Sequence, residues 1–364
     1  MNQDLRARGF LPVPDPLARF PAGSPYSMLD EVGAELPERL LNPGFRQWVE
    51  HLEIPSPSAP GPGTDDPAVM RLYYVRVGFL ASGYVNQVAL GPVNRLPGNI
   101  ARPFTDVCRR LGRPPILSYD GYALYNWKRL DPQGPIALGN IDTIQNFVHL
   151  YDEHWFILVH VEIEALAASQ IRAILDLEAN RGFADRDAVD AALDTITHAL
   201  DRQIAVLARI PERMSPDLYF ASFRPYIRFF EHVAYEGVSG ESLSFRGETG
   251  AQSSVIPALV GFLKIPHRTS ILTKHLADMR RYMPPTHRAF VERVEGMPDV
   301  RPVATPERFD AALGRVARFR EIHHEWARRY VNDRVADPRG TGGTPFMEWL
   351  GRLLDETRDY HAAD

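Results

Sequence analysis

Apolar residues along this chain recur mostly at helical spacing, and the pattern changes character twice. Residues 1–70 hold no sustained period and are interrupted by prolines, so they read as loop-like. Within them SPSAPGPGTDDP (56–67) predicts an exposed loop or disordered insertion. Between 69 and 111, two apolar segments, VMRLYYVRVGFLASGYV and IARPFTDVCRRLG, flank the turn-rich GPVNRLPGN, and both predict helices. Pro114-Pro115 marks a boundary, because a residue before proline is pushed out of helical conformation. Beyond it the pattern is helical. Residues 154–180 predict one long helix, apolar nearly all round in its first half, as a buried central helix would be. Residues 185–210 are amphipathic with an acidic first turn, and Ser215-Pro216-Asp217 caps a helix expected to run through Phe230. Segments at 254–263, 268–282, from Pro284-Pro285, at 306–334 and at 345–360 complete the set. No strand alternation or internal repeat stands out in the larger part. The expected class is all-α, with a small N-terminal α domain (1–113) and a large all-helical domain (114–364).

Composition narrows the function. With 364 residues, 45% of them apolar, the chain can bury a core large enough to enclose a cofactor. A net charge of −5 argues against a nucleic-acid or anionic-membrane partner, since both need a clustered positive field. Of 41 basic residues only Lys128, Lys264 and Lys274 are lysines, which points to a GC-rich coding genome. The single cysteine, Cys108, excludes a disulfide within the chain, a Cys₄ zinc site and a cysteine-held iron–sulfur cluster. MNQDLRARGFLPVPDPL lacks the apolar core of a secretion signal, and the longest apolar stretch, 155–168, is short and carries Glu162 and Glu164. A cytoplasmic protein is expected.

Four constellations carry candidate chemistry. In PERFDAALGRVARFREIHHEWARRY, the residues Phe309, Leu313, Val316, Phe319, His323, Ala327 and Tyr330 form one apolar stripe; His324 falls about 100° away. His323 is either a core histidine bonded to a carbonyl or a single axial ligand to iron, with Arg320 one turn earlier placed for a propionate. His160 lies in an apolar helix with Phe156 four residues before it and small residues (Ala165, Ala167, Ala168, Ser169) after it. That pattern suits tight helix packing or a helix lying over a flat cofactor. Arg224 stands among Tyr219, Phe220, Phe223 and Tyr226, where an unpaired guanidinium is costly, so it needs an internal carboxylate or a substrate carboxylate. RGTGGTPF (339–346) is either a mobile loop or a lid whose Thr341 hydroxyl reaches a ligand; it lacks a P-loop ending, and no Gly-x-Ser-x-Gly elbow supports a hydrolase.

Several blocks occur in a telling order: PPILSYDGYALYNWKRLDP, EALAASQIRAI, FRPY, VAYEG, GAQSSV, MRRYMPPTHRAF, FREIHHEWARRY and RGTGGT. Together, over about residues 69–360, they resemble the indoleamine 2,3-dioxygenase family, haem enzymes with a small α domain and a large all-helical haem domain. The resemblance implies haem b as cofactor, with His323 as proximal iron ligand and Arg320 as propionate partner. It implies Arg224 as the carboxylate-binding arginine, Phe156 as the distal phenylalanine packing on the indole, and Thr341 near the substrate ammonium. Tyr119 and Tyr122 would line the distal pocket, and Thr249-Gly250 would form a turn beside the haem edge. Two positions depart from the family pattern: His160 stands where a distal serine is usual, as in tryptophan 2,3-dioxygenases, and Tyr219 replaces a phenylalanine.

The implied reaction inserts O₂ across C2–C3 of an indole, L-tryptophan or a relative, to give an N-formylkynurenine-type product. An electron donor would keep the haem ferrous, and a monomer is compatible with the sequence. The rival reading is a secondary-metabolism haem monooxygenase or ring-rearranging enzyme acting on an indole or phenol amino acid, which His160 and Tyr219 keep open. A non-catalytic haem binder or gas sensor is the second rival.

Overall fold

The protein is described from a computed structural model, over residues 2–334 and 346–360. The proline-rich first seventy residues are more ordered than their sequence suggests. They hold α1 (Asn2–Arg8), α2 (Met28–Arg39) and α3 (Phe45–Glu50). The 56–67 segment is a loop, as expected, but it is pinned: Tyr26 Oη donates to the Pro57 carbonyl at 2.9 Å and Tyr73 Oη to that of Pro55 at 2.5 Å. Buried tyrosines with one obligatory hydrogen bond each explain why a breaker-rich stretch holds a single path.

Helix α4 (Pro67–Val85) starts where Asp66 accepts from the Ala68 N–H with proline at the first helical position, and it is buried along almost its whole length. After β1 (Arg95–Leu96) comes α5 (Gly98–Arg110). A π-helical turn, Asp120–Leu124, then leads into the hairpin of β2 (Trp127–Arg129) and β3 (Ile141–Thr143). That turn is anchored by a buried ion pair between Arg113 and Asp120, with the guanidinium 4.6 Å over the Tyr74 ring.

Helix α6 (Tyr151–Ala179) is the axis of the molecule. Ile157, Leu158 and Val161 enter the core built on α2, α4 and α5. Trp155, Val159 and Ile163 enter a second cluster with Tyr219, Phe223 and Ile322. Ala167, Ile171 and Ile174 enter a third. A helix apolar all round is the sequence form of an element packed on every side. The small residues near its middle do permit a close approach: Gly9, at φ +61°, stands so that a Cβ would lie 3.1 Å from the Ala168 Cα.

Helix α7 (Arg186–Leu207), capped by Asp185, is followed by the short α8 (Ile210–Arg213) and α9 (Pro216–Leu218). The helix expected to reach Phe230 instead tightens into a π turn, Tyr219–Phe223, and ends, because Pro225 has no N–H to continue it. Phe230 opens β4 (Phe230–Tyr235), which pairs in parallel with β1 and antiparallel with β5 (Ser242–Phe245). The chain is therefore mainly helical with short strands. The remaining helices are α10 (Val255–Phe262), α11 (Ile271–Met279), α12 (Pro285–Glu295), α13 (Pro306–Tyr330) and α14 (Phe346–Arg358), all within segments expected to be helical. Thr305 ties the start of α13 to α7, its N–H and hydroxyl reaching the Asp190 carboxylate at 2.9 and 2.6 Å. Among the described residues no helix is long and apolar enough to cross a membrane.

Candidate active site

Four segments distant in sequence converge beside α6: the turn 119–124, the turn 219–224, the turn 247–253 and α13. The rings of Tyr119, Tyr122, Phe156, His160, Tyr219 and Phe223 form one aromatic cluster. Phe156 lies 4.6 Å from His160, 5.5 Å from Tyr219, 6.0 Å from Phe223 and 6.2 Å from Tyr122 between ring centroids. Tyr119 meets His160 edge-on at 5.9 Å.

His160 has a defined tautomer. Its Nδ1 lies 2.7 Å from the Phe156 carbonyl oxygen, which can only accept, so Nδ1 carries the proton and Nε2 presents a lone pair. Burial lowers its pKa, which keeps the ring neutral. On α13, His323 is desolvated by surrounding protein and pushed down to about 4, with smaller contributions from His160 and His324. Yet its side chain retains accessible surface. A ring that is enclosed but not packed borders an interior space, and the residue before it, Ile322, packs in one cluster with Tyr219 and Phe223 of the aromatic group. His324 faces α14, its Nε2 3.9 Å from where a Cβ on Gly351 would sit.

A neutral imidazole bordering an interior space, with no hydrogen-bond partner among the described residues, is a fit donor for a porphyrin iron, which asks the protein for as little as one axial ligand. Arg320 is placed differently from the expectation. Its Nη1 donates to the Leu353 carbonyl at 2.7 Å and to the Thr357 hydroxyl, and its Nη2 stands 3.3 Å from His267 Nε2. The guanidinium is thus taken up by α14 and its surroundings. A propionate would have to join or displace those partners.

Arg224 is buried at 8% exposure, its guanidinium 5.3 Å from the Phe220 ring centre and hydrogen-bonded at the Tyr219 hydroxyl. Burial raises the Tyr219 hydroxyl to about 12, with Arg224 pulling it down and Glu248 pushing it up. The turn carrying Thr249 and Gly250 packs on the Tyr119 segment, where the Tyr119 N–H donates to Gln252 Oε1 at 2.9 Å. Thr249 accepts from the Ala251 N–H at 3.4 Å. Thr341 lies outside the described residues.

Three buried acids around this space were not singled out in the sequence. Glu164, one turn after His160, accepts from Tyr119 Oη at 2.9 Å and Ser253 Oγ at 2.7 Å, and burial raises it to about 7. Its second oxygen has no partner among the described residues. Glu153 accepts from the Phe147 and Val148 N–H groups at 2.9 Å and from Tyr122 Oη at 3.1 Å; burial raises it to about 7 as well. Glu248 is 3% exposed and raised by burial to about 8. A charge inside the apolar run of α6 was a readable signal for Glu164; Glu153 precedes that run, and Glu248 sits in a turn without periodicity. The hydroxyls of Tyr119 and Tyr122 are committed to these acids, which leaves their rings as walls.

The family model of indoleamine 2,3-dioxygenase matches residues 4–337. The chain is similar to indoleamine 2,3-dioxygenase 1 of Mus musculus, 29% identical over 95% of this chain and 91% of the relative. To indoleamine 2,3-dioxygenase 2 of Homo sapiens it is 30% identical over 79% and 78%. It is also 25% identical to a myoglobin of Haliotis madaka, over 96% and 95%. With the match spanning nearly the whole chain, and with a histidine fit for iron on α13, whose neighbour Ile322 packs with Tyr219 and Phe223 of the aromatic cluster, the chain belongs to the indoleamine 2,3-dioxygenase family of haem-dependent dioxygenases.

Proposed function

We propose that the pocket binds L-tryptophan or a close indole relative and positions it for insertion of O₂ across C2–C3. The observation that carries this is the pairing, on one aromatic pocket, of a neutral imidazole acceptor with a buried arginine. Haem bound through His323 supplies the oxygen chemistry, with an external electron donor keeping its iron ferrous. Phe156 and Phe223 form the apolar bed for the ring, and His160 Nε2 accepts from the indole N–H. Arg224 holds the carboxylate as a charge-assisted pair, and Tyr219 Oη stands beside it. Holding a ring and a carboxylate at once fixes which edge of the indole meets the oxygen. The named pocket groups all fall after residue 113, in keeping with a smaller unit (1–113) and a larger one (114–364), and a cytoplasmic monomer is part of the same reading.

A second reading has an observation behind it: the myoglobin relative is similar over almost its full length. A protein that only stores oxygen has no use for a buried arginine beside its pocket, which favours catalysis. Aerobic turnover of L-tryptophan by the haem-loaded protein with a reductant, followed by formylkynurenine absorbance, decides between them. Product with two labelled oxygen atoms from labelled O₂ is the expected result; one atom would favour monooxygenation, and none, with reversible O₂ binding, would favour storage. His323→Ala should abolish the five-coordinate ferrous spectrum, and an unchanged spectrum would remove the ligand assignment.

A further inference from the structure

Glu164 takes no part in the reaction described above, yet its bonds reach two other elements of the site. Its side chain is fully buried, and its Oε1 accepts from the Tyr119 hydroxyl at 2.9 Å and the Ser253 hydroxyl at 2.7 Å. Ser253 Oγ in turn lies 3.3 Å from the Val255 N–H, which can only donate, so the Ser253 proton is left for Glu164. The carboxyl is thereby tied to the start of α10. Tyr119 is held at its other end too. Its N–H donates to Gln252 Oε1 at 2.9 Å, and Gln252 Nε2 donates to the Gly247 carbonyl at 2.8 Å.

His160 and Glu164 stand one turn apart on the same face of α6, about 6 Å along its axis. Tyr119 spans that turn like a strap. Its hydroxyl ends on Glu164, and its ring meets the His160 imidazole edge-on, at 5.9 Å and 73°. The bond from His160 Nδ1 to the Phe156 carbonyl settles which nitrogen carries the proton, but one bond leaves the ring free to rock about it. The Tyr119 ring removes that freedom as long as its own hydroxyl is held. Without an acceptor at Glu164, the buried hydroxyl would have to turn toward another partner and take the ring with it.

We infer that Glu164 is a positioning residue: by holding the Tyr119 hydroxyl it keeps that ring against His160 and so aims Nε2 at the indole N–H. The inference rests on the indole-binding reading above and adds what keeps the acceptor aimed. What the strap asks of Glu164 is an oxygen that accepts, not a charge. Burial raises the acid to about 7, and Oε1 accepts whether the group is neutral or ionised. Glutamine offers the same oxygen at the same place, whereas leucine fills the space and offers none.

The test compares L-tryptophan with 1-methyl-L-tryptophan, whose ring nitrogen has no proton. The haem-loaded proteins are wild type, Glu164→Gln, Glu164→Leu, Tyr119→Phe and the variant combining the last two. Binding is read by titration calorimetry and by the Soret shift, and formylkynurenine separately. Glu164→Leu and Tyr119→Phe should each lose about 5- to 10-fold in affinity for L-tryptophan, with less than about 2-fold change for 1-methyl-L-tryptophan. Glu164→Gln should stay within about 2-fold of wild type, and the combined variant should lose no more than the larger single loss, since both changes cut one strap. Equal losses for the two ligands would reduce Glu164 to packing and overturn the inference. So would a Glu164→Gln as weak as Glu164→Leu, which would assign a charge or proton role, or losses that add in the combined variant. None of these three results touches indole dioxygenation. Formation of no formylkynurenine by wild type, with the ligand contrast still present, would overturn the reaction and keep the positioning. Binding of neither ligand by wild type would overturn both. Tyr119→Phe removes a single hydroxyl and carries the comparison if Glu164→Leu fails to hold haem.

Discussion

At the scale of single residues, the most consequential assignment is the tautomer of His160. A carbonyl one turn earlier fixes the proton on Nδ1 and leaves Nε2 to accept, so the imidazole is a ready partner for an indole N–H. His160→Ser should keep haem loading but lower kcat/KM for L-tryptophan about 10-fold. The same change should matter far less for 1-methyl-tryptophan, which has no N–H to offer. Equal losses on both substrates would show that His160 only fills space. Arg224→Ala should raise KM for L-tryptophan by about 10-fold or more, with little change for indole itself, since indole has no carboxylate to lose. Steady-state kinetics on the two substrates checks it.

At the scale of elements, the site depends on two π-helical turns that place their side chains a residue out of the usual helical step. The first is held by the Arg113–Asp120 pair, both side chains 1% exposed. Arg113→Ala would leave a buried carboxylate uncompensated at about 3–5 kcal/mol, and a large drop in melting temperature is expected. A small drop would mean that Asp120 finds another partner. How far such elements were legible in the sequence follows from what each signal measures. Helices α6, α7 and α13 were readable because their faces meet the core over many turns, and periodicity averages over that length. The stripe on α13 was readable in the same way, since Phe309, Leu313 and Val316 enter one core cluster while His324 turns toward α14. The end of the helix after Tyr219 was not readable: the breaker Pro225 was visible, but the parallel pairing of β4 with β1 joins residues about 140 positions apart. Nor were α1, α2 and α3, whose order comes from contacts such as Tyr26 with Pro57 more than from local propensity. Arg320 shows the same limit, since its residue type suggested an anion while α14 supplied a carbonyl and a hydroxyl.

At the scale of the whole molecule, three buried acids and three desolvated histidines set opposing pH dependences. Glu153 and Glu164 are raised to about 7 and Glu248 to about 8, each by burial, against 4.5 when unfolded. Their folded forms keep a proton that the unfolded chain has released, so their contribution is intact below 4.5 and is lost as pH rises through 7 to 8. His323 and His275 are lowered to about 4 and His287 to about 3, chiefly by burial, against 6.5 when unfolded. Their contribution is intact above 6.5 and is lost as pH falls toward 3 to 4. Above pH 6.5 only the acids act among these six groups. The unfolding free energy should therefore fall between pH 6.5 and 8, by about 1.4 kcal/mol per pH unit for each acid in its window, and the melting temperature with it. Glu248→Gln should flatten the slope between 7 and 8, and a melting temperature that rises there would contradict the burial of these groups.

The close seat of Gly9 on Ala168 carries the argument to the far end of the chain. Ala168 lies eight residues beyond His160, about 12 Å along the same helix. A methyl group added at position 9 would act as a shim under that rod, tilting it against its neighbours without entering the pocket. Gly9→Ala should keep every pocket side chain and still move substrate affinity, which equilibrium binding to the haem-loaded protein can register. The first turn of the chain would then be an adjusting screw for a cavity it never touches.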